Sequence, residues 1–99
     1  MRVRVQSVNF NARPELLEFI QKKLDKLDQV HDRIIEGEVF LKVDNSHDRM
    51  NKIAEIKINV PGNELMVKKN CETFEEAADL GAEALRKQLE RHKGKLRGL

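Results

Sequence analysis

The amino-acid pattern predicts an α+β fold of order β-α-β-β-β-α, a four-stranded sheet with two helices packed on one face. Three observations predict it. Four segments alternate polar and apolar residues, two segments repeat apolar residues at helical spacing, and turn or cap residues separate them. Each strand is apolar on one face only and each helix on one stripe only. Both helices must therefore cover the same side of the sheet, and the other side stays wet.

The first strand is RVRVQSV (2–8), with Val3 and Val5 facing one way and Arg2, Arg4 and Gln6 the other. Pro14 follows at a position suited to the first residue of a helix. From Glu15 to Asp28, Leu16, Leu17, Ile20, Leu24 and Leu27 share one helical face. Arg13 is a poor cap, so either Asn11 caps this helix or its end frays. EVFLKV (38–43) alternates again, and DNSHDRMN (44–51) reads as a polar loop. IAEIKINV (53–60) puts Ala54, Ile56, Ile58 and Val60 on one side. Val60-Pro61-Gly62-Asn63 carries Pro and Gly where a type II turn needs them, so NELMVKK (63–69) returns as a hairpin partner. Thr73 and Glu76 have capping-box spacing and open the last helix, with Phe74, Ala78, Gly81, Ala82, Leu85 and Leu89 as its inward stripe.

A length of 99 residues suits one domain, 1–99. At 39% hydrophobic and 36% charged, it has enough apolar residues for a modest core and a very polar surface. Cys71 is the only cysteine, so no internal disulfide forms, which suits a reducing compartment. The N-terminal residues lack a signal-like apolar block, and no stretch approaches a membrane span. A cytoplasmic location is expected.

Little in the chain suggests catalysis. Cys71 with His31, His47 or His92 is the one nucleophilic pairing available, and nothing local activates the thiol. Asp44, His47 and Asp48 lack a second cluster to complete a metal site. No phosphate-binding glycine loop or zinc-helix motif occurs. No enzyme activity, cofactor, metal or small-molecule substrate is expected.

The charge distribution says more than the net charge of +2. Residues 72–85 carry five acids and no Lys or Arg, whereas Arg86 to Arg97 holds six cations and one acid, Glu90. The helix macrodipole favours this order within the terminal turns, and Glu83–Lys87 has ordinary i, i+4 spacing. Neither effect requires six cations running into KGKLRGL. On the wheel, Lys23 and Lys26 share one flank of the first helix, with Lys22 further round. Lys87 and Arg91 share one flank of the last helix and Arg86 and Lys93 the other, and Lys95 continues the row. Helices lying side by side could bring one flank of each to a common groove able to meet successive phosphates.

The chain has no Trp or Tyr, and Phe40 alone points outward from the sheet as an aromatic, which argues against a base-stacking platform and for structured RNA read by backbone and shape. On the open face, Arg2, Arg4, Lys42, Lys57 and Lys68 alternate with Gln6, Glu38, Glu55 and Glu64, a pattern suited to cross-strand pairing.

In that light ARPELLEFIQKKLDKLDQVHDRI (12–34), VFLKV (39–43), ETFEEAADL (72–80) and LRKQLERHKGKL (85–96) occur in the order and at the spacing of a known family. The chain resembles, end to end, the short ribosome hibernation-promoting factors and ribosome-associated inhibitors, also called sigma-54 modulation proteins. The resemblance implies a fold similar to the double-stranded RNA-binding domain. It also implies a translation inhibitor that binds ribosomal RNA of the small subunit in the mRNA and tRNA channel during stationary phase. It implies RNA contacts by Lys22, Lys23, Lys26, Arg86, Lys87, Arg91, Lys93 and Lys95. Val30-His31 replaces an aromatic-rich pair, Phe74 stands where Tyr is common, and Asp28 and Glu90 fall where some members are basic. A monomer is expected. Two other readings fit the residues: a general structured-RNA-binding module, or a protein-interaction modulator of a transcription factor.

Overall fold

The computed structural model describes residues 1–45 and 49–96, with side chains as far as His92. The elements are β1 (Arg2–Ser7), α1 (Pro14–Asp25), a 3-10 turn (Lys26–Gln29), β2 (Glu36–Val43), β3 (Lys52–Val60), β4 (Asn63–Cys71) and α2 (Phe74–Leu96). The strands lie in the order β1-β2-β3-β4. β1 pairs parallel to β2 and the other neighbours are antiparallel, so the sheet is mixed. A parallel pair needs a crossover, and α1 supplies it.

Register puts the alternating residues where the pattern requires. Val5, Val39, Ile56 and Val67 form one row across the covered face, and Arg4, Glu38, Lys57 and Met66 form one across the open face. Ile20 and Leu24 of α1, and Leu27 of the 3-10 turn, are buried against this core. α2 buries Phe74, Ala77, Ala78, Gly81, Ala82, Leu85 and Leu89. Its middle is made of small residues, which lets the helix lie close to β3. A Cβ on Gly81 would sit 2.8 Å from Cδ1 of Ile56. Phe10 stacks on Phe74 at 5.1 Å between ring centroids and closes the end where both helices begin.

Two expectations about α1 need correction. Arg13 and not Asn11 occupies the N-cap, in extended conformation and without a side-chain bond. Its carbonyl accepts from the N–H groups of Leu16 and Leu17, while Pro14 lacks the N–H that would otherwise be orphaned. The regular helix also stops at Asp25 rather than Asp28, because residues 26–29 tighten into a 3-10 turn that buries Leu27. The Met1 ammonium holds this segment from below, donating to Asp28 at 2.5 Å and to Asp25 at 3.3 Å.

The cap and turn signals correspond to real geometry. Thr73 Oγ1 accepts from the Glu76 N–H at 3.1 Å, starting α2, and Gly62 has φ of 76°, as the second central residue of a type II turn requires. Beyond α1, His31 is buried and stacks on His92 of α2 at 5.7 Å between ring centroids.

Leu85 is completely buried where α2 meets the sheet. Leu85→Ala should destabilise the fold by about 2–5 kcal/mol, read from the urea midpoint at unchanged slope.

Candidate nucleic-acid interface

The two helices run side by side on the covered face, so their outer surfaces form one layer. The angular position of each cation follows from the apolar stripe beneath it. On α1, Ile20 and Leu24 point inward, which leaves Lys22 on the crest and turns Lys23, with Lys26 at the start of the 3-10 turn, toward α2. On α2, Arg86 faces α1. It lines a shallow hollow of about 160 Å³ with Lys23, Lys26, Leu27, Asp79, Ala82 and Glu83.

Lys87 and Arg91 take the opposite shoulder. Gln88 on that flank donates to the Met66 carbonyl of β4 at 3.4 Å, and Arg91 stands one turn further along the same flank. They are therefore not in the groove. The α2 flank that meets α1 is the one carrying Arg86. Lys93 and Lys95 belong to the α2 backbone, but their side chains, like His47 and Asp48, lie outside the described residues.

Ion pairing divides the cations into two groups. Lys23 pairs with Asp79 at 3.0 Å and sits 5.4 Å above the Phe19 ring. Arg86 pairs with Glu83 at 2.5 Å and with Glu90 at 2.7 Å. Lys22, Lys26, Lys87 and Arg91 are exposed and make no ion pair among the described residues. The expected Glu83–Lys87 pair gives way to Glu83–Arg86. Two guanidinium nitrogens donate to both oxygens of Glu83, a fork that a lysine cannot supply. The i, i+3 and i, i+4 spacing that joins Arg86 to Glu83 and Glu90 is visible in the sequence, whereas the Lys23–Asp79 pair arises only where the helices meet.

The open sheet face uses its charges on itself at one end. Arg4 bonds Glu38 and lies 3.5 Å from Glu36, and Lys57 reaches Glu38 at 3.3 Å. Cross-strand pairing thus accounts for this patch of the face. Cys71 is buried, and burial raises its thiol pKa, so it offers no reactive thiolate. No group of metal-ligating side chains occurs among the described residues, and no described helix is long and apolar enough to cross a membrane.

Residues 3–97 match the sequence model of the family described as Sigma 54 modulation protein / S30EA ribosomal protein. A ribosome hibernation promoting factor of Klebsiella oxytoca is 29% identical over 97 residues, which cover 98% of each chain. The N-terminal domain of Thermus thermophilus Protein Y shares the fold with a TM-score of 0.82 and 22% identity, over 93% of this chain and 99% of that one. A ribosomal subunit interface protein of Coxiella burnetii superposes with a TM-score of 0.83 and 20% identity, over 95% and 99%.

Two carboxylates carry a pH signature. The hydrogen bond from Arg86 holds Glu83 below the ordinary 4.5, and the bond from Lys57 does the same for Glu38. A carboxyl group depressed by folding stabilises fully above its unfolded pKa, and that contribution is lost as pH falls through the folded value. Stability should therefore decline below pH 4.5. The double variant Glu38→Gln, Glu83→Gln should show a shallower acid decline in urea unfolding at stepped pH, and an unaltered slope would contradict the assignment.

Proposed function

The chain belongs to the Sigma 54 modulation protein / S30EA ribosomal protein family, and from that premise we propose that it is a ribosome hibernation factor acting on RNA of the small subunit. One observation carries the physical side of the reading. Lys22 on α1, Lys26 at the start of the 3-10 turn, and Lys87 and Arg91 on α2 are four exposed cations without an ion pair among the described residues, all on the helical layer. Exposed like charges on a packed helix pair raise its electrostatic energy, and phosphates relieve it.

The mechanism requires no chemistry. The sheet holds two helices at a set spacing, and their cations neutralise ribosomal RNA phosphates in the channel where mRNA and tRNA would lie. Residues 1–99 act as one ribosome-binding domain, as a monomer in the cytoplasm, and translation stops because the volume is occupied. Lys23 and Arg86 support the surface from within their ion pairs, and the family resemblance adds Lys93 and Lys95 to the RNA-contacting set. The name of the Klebsiella relative, ribosome hibernation promoting factor, supports the reading.

Sedimentation with purified small subunits tests it. With about four phosphates engaged, log affinity should fall against log salt with a slope on the order of −3 to −4, or about 100-fold between 50 and 200 mM. Lys87→Glu with Arg91→Glu should fold normally, lower affinity at least about tenfold and flatten the slope by about two. Unchanged affinity in that variant would move the interface off α2. Equal affinity for ribosomes and free duplex RNA would favour a general RNA-binding module.

A further inference from the structure

We infer that Asp79, Glu83 and Glu90 divide the cationic helical surface into two lanes, and so select RNA that presents two phosphate rows flanking a groove. The inference rests on the RNA reading above and specifies the class of RNA structure the surface takes.

The lanes follow from the wheel. Successive α2 residues turn about 100°. Measured from the inward direction of Leu85, Arg86, Asp79, Glu90 and Glu83 fall at about 100–160°, and Lys87 and Arg91 at about 200–240°. A strip of carboxylates therefore separates the Lys87–Arg91 row from the free cations on the α1 side, Lys22 on the crest of α1 and Lys26 at the edge of the hollow where the 3-10 turn begins. The Lys87–Arg91 row spans one helical turn, about 6 Å. Between the two sets lie Lys23 and Arg86, committed to Asp79 at 3.0 Å and to Glu83 and Glu90 at 2.5 and 2.7 Å. Two cations against three carboxylates leave this strip with one net negative charge.

A single strand of phosphates can follow one lane but cannot use both. Laid along the groove between the helices, it meets carboxylates already holding the cations it needs. Packed helix axes are about 8–10 Å apart, so Lys22 on the crest of α1 and the Lys87–Arg91 row on the far shoulder of α2 are at least that far apart. The wide, shallow minor groove of an RNA duplex has phosphates along both edges and hydroxyl groups between them. That arrangement places negative charge over both lanes and uncharged groups over the acidic strip. The acids thus act as specificity determinants: they weaken binding to single-stranded polyanions more than to the shape with two rows.

Binding of the full chain to three probes tests the inference. The probes are a single-stranded RNA of about 20 nucleotides, a duplex of the same length and purified small subunits, all at one salt concentration. Asp79→Asn with Glu83→Gln frees Lys23, leaves Arg86 held by Glu90 alone, and removes two repulsive charges, each equivalent to about threefold at ~7 Å in water. Affinity for the single strand should rise about tenfold, with the duplex and the small subunit changing less than about threefold. Glu90→Gln should shift affinity in the same direction by about threefold, giving a second readout at an exposed site. No gain on the single strand, or an equal gain on all three probes, overturns the lanes while leaving the RNA reading intact. Failure of the wild-type chain to bind small subunits, together with indifference to Lys22→Glu and Lys26→Glu, overturns both.

Discussion

The surface chemistry of this protein is set by contact between α2 and β3 through small side chains. Ala77, Ala78, Gly81 and Ala82 form the middle of the buried stripe, and a methyl group added at Gly81 would have to push aside the Cδ1 of Ile56, 2.8 Å away. Close approach fixes the rotation of the helix about its axis, since any other rotation would press a larger or charged residue onto the sheet. Once that rotation is set, every charged residue of α2 has its direction. Arg86 must face α1, and Lys87 and Arg91 must face away from it. The cation layout is thus a consequence of core packing, and a core change that rotated α2 would rearrange the charges without touching one of them.

Much of this was legible in the sequence because it depends on local periodicity. Val3, Val5, Val39, Leu41, Ile56 and Ile58 alternate strictly, and their partners on the sheet follow. Thr73 and the Pro61-Gly62 pair announce a cap and a turn whose geometry uses only neighbouring backbone. The parallel pairing of β1 with β2 was not visible in the same way, since strand order depends on which surfaces cover each other. The 3-10 turn at Lys26–Gln29 arises from burying Leu27 while the Met1 ammonium engages Asp25 and Asp28, contacts more than twenty residues apart in sequence. Ile53 shows the same limit: its register puts it on the open face opposite Lys42 and Asn70, yet it is buried.

The candidate site was legible as a set of residues and less so as an arrangement. Charge counting found the cations of both helices but gave them equal standing. Arg86 and Lys23 differ from Lys22, Lys26, Lys87 and Arg91 because carboxylates lie within reach of the former. For Arg86 those carboxylates are on its own helix, where spacing could have revealed them. For Lys23 the partner is Asp79 on the neighbouring helix, which only the packing of α1 against α2 supplies.

The two faces of the molecule use charge differently, and the difference bears on function. The ladder from Arg4 through Glu38 to Lys57 alternates in sign across strands, so those charges stabilise the sheet and have little field left for a partner. The helical layer does not reach that balance. A helix dipole favours cations in the last turn of α2, yet Lys87 and Arg91 stand one or more turns before Leu96, where that effect has faded. Neither makes an ion pair among the described residues. A surface that pairs its charges across strands at one end of the sheet and leaves Lys22, Lys26, Lys87 and Arg91 without an ion pair on the helical layer has an electrostatic reason to meet a polyanion with its helices.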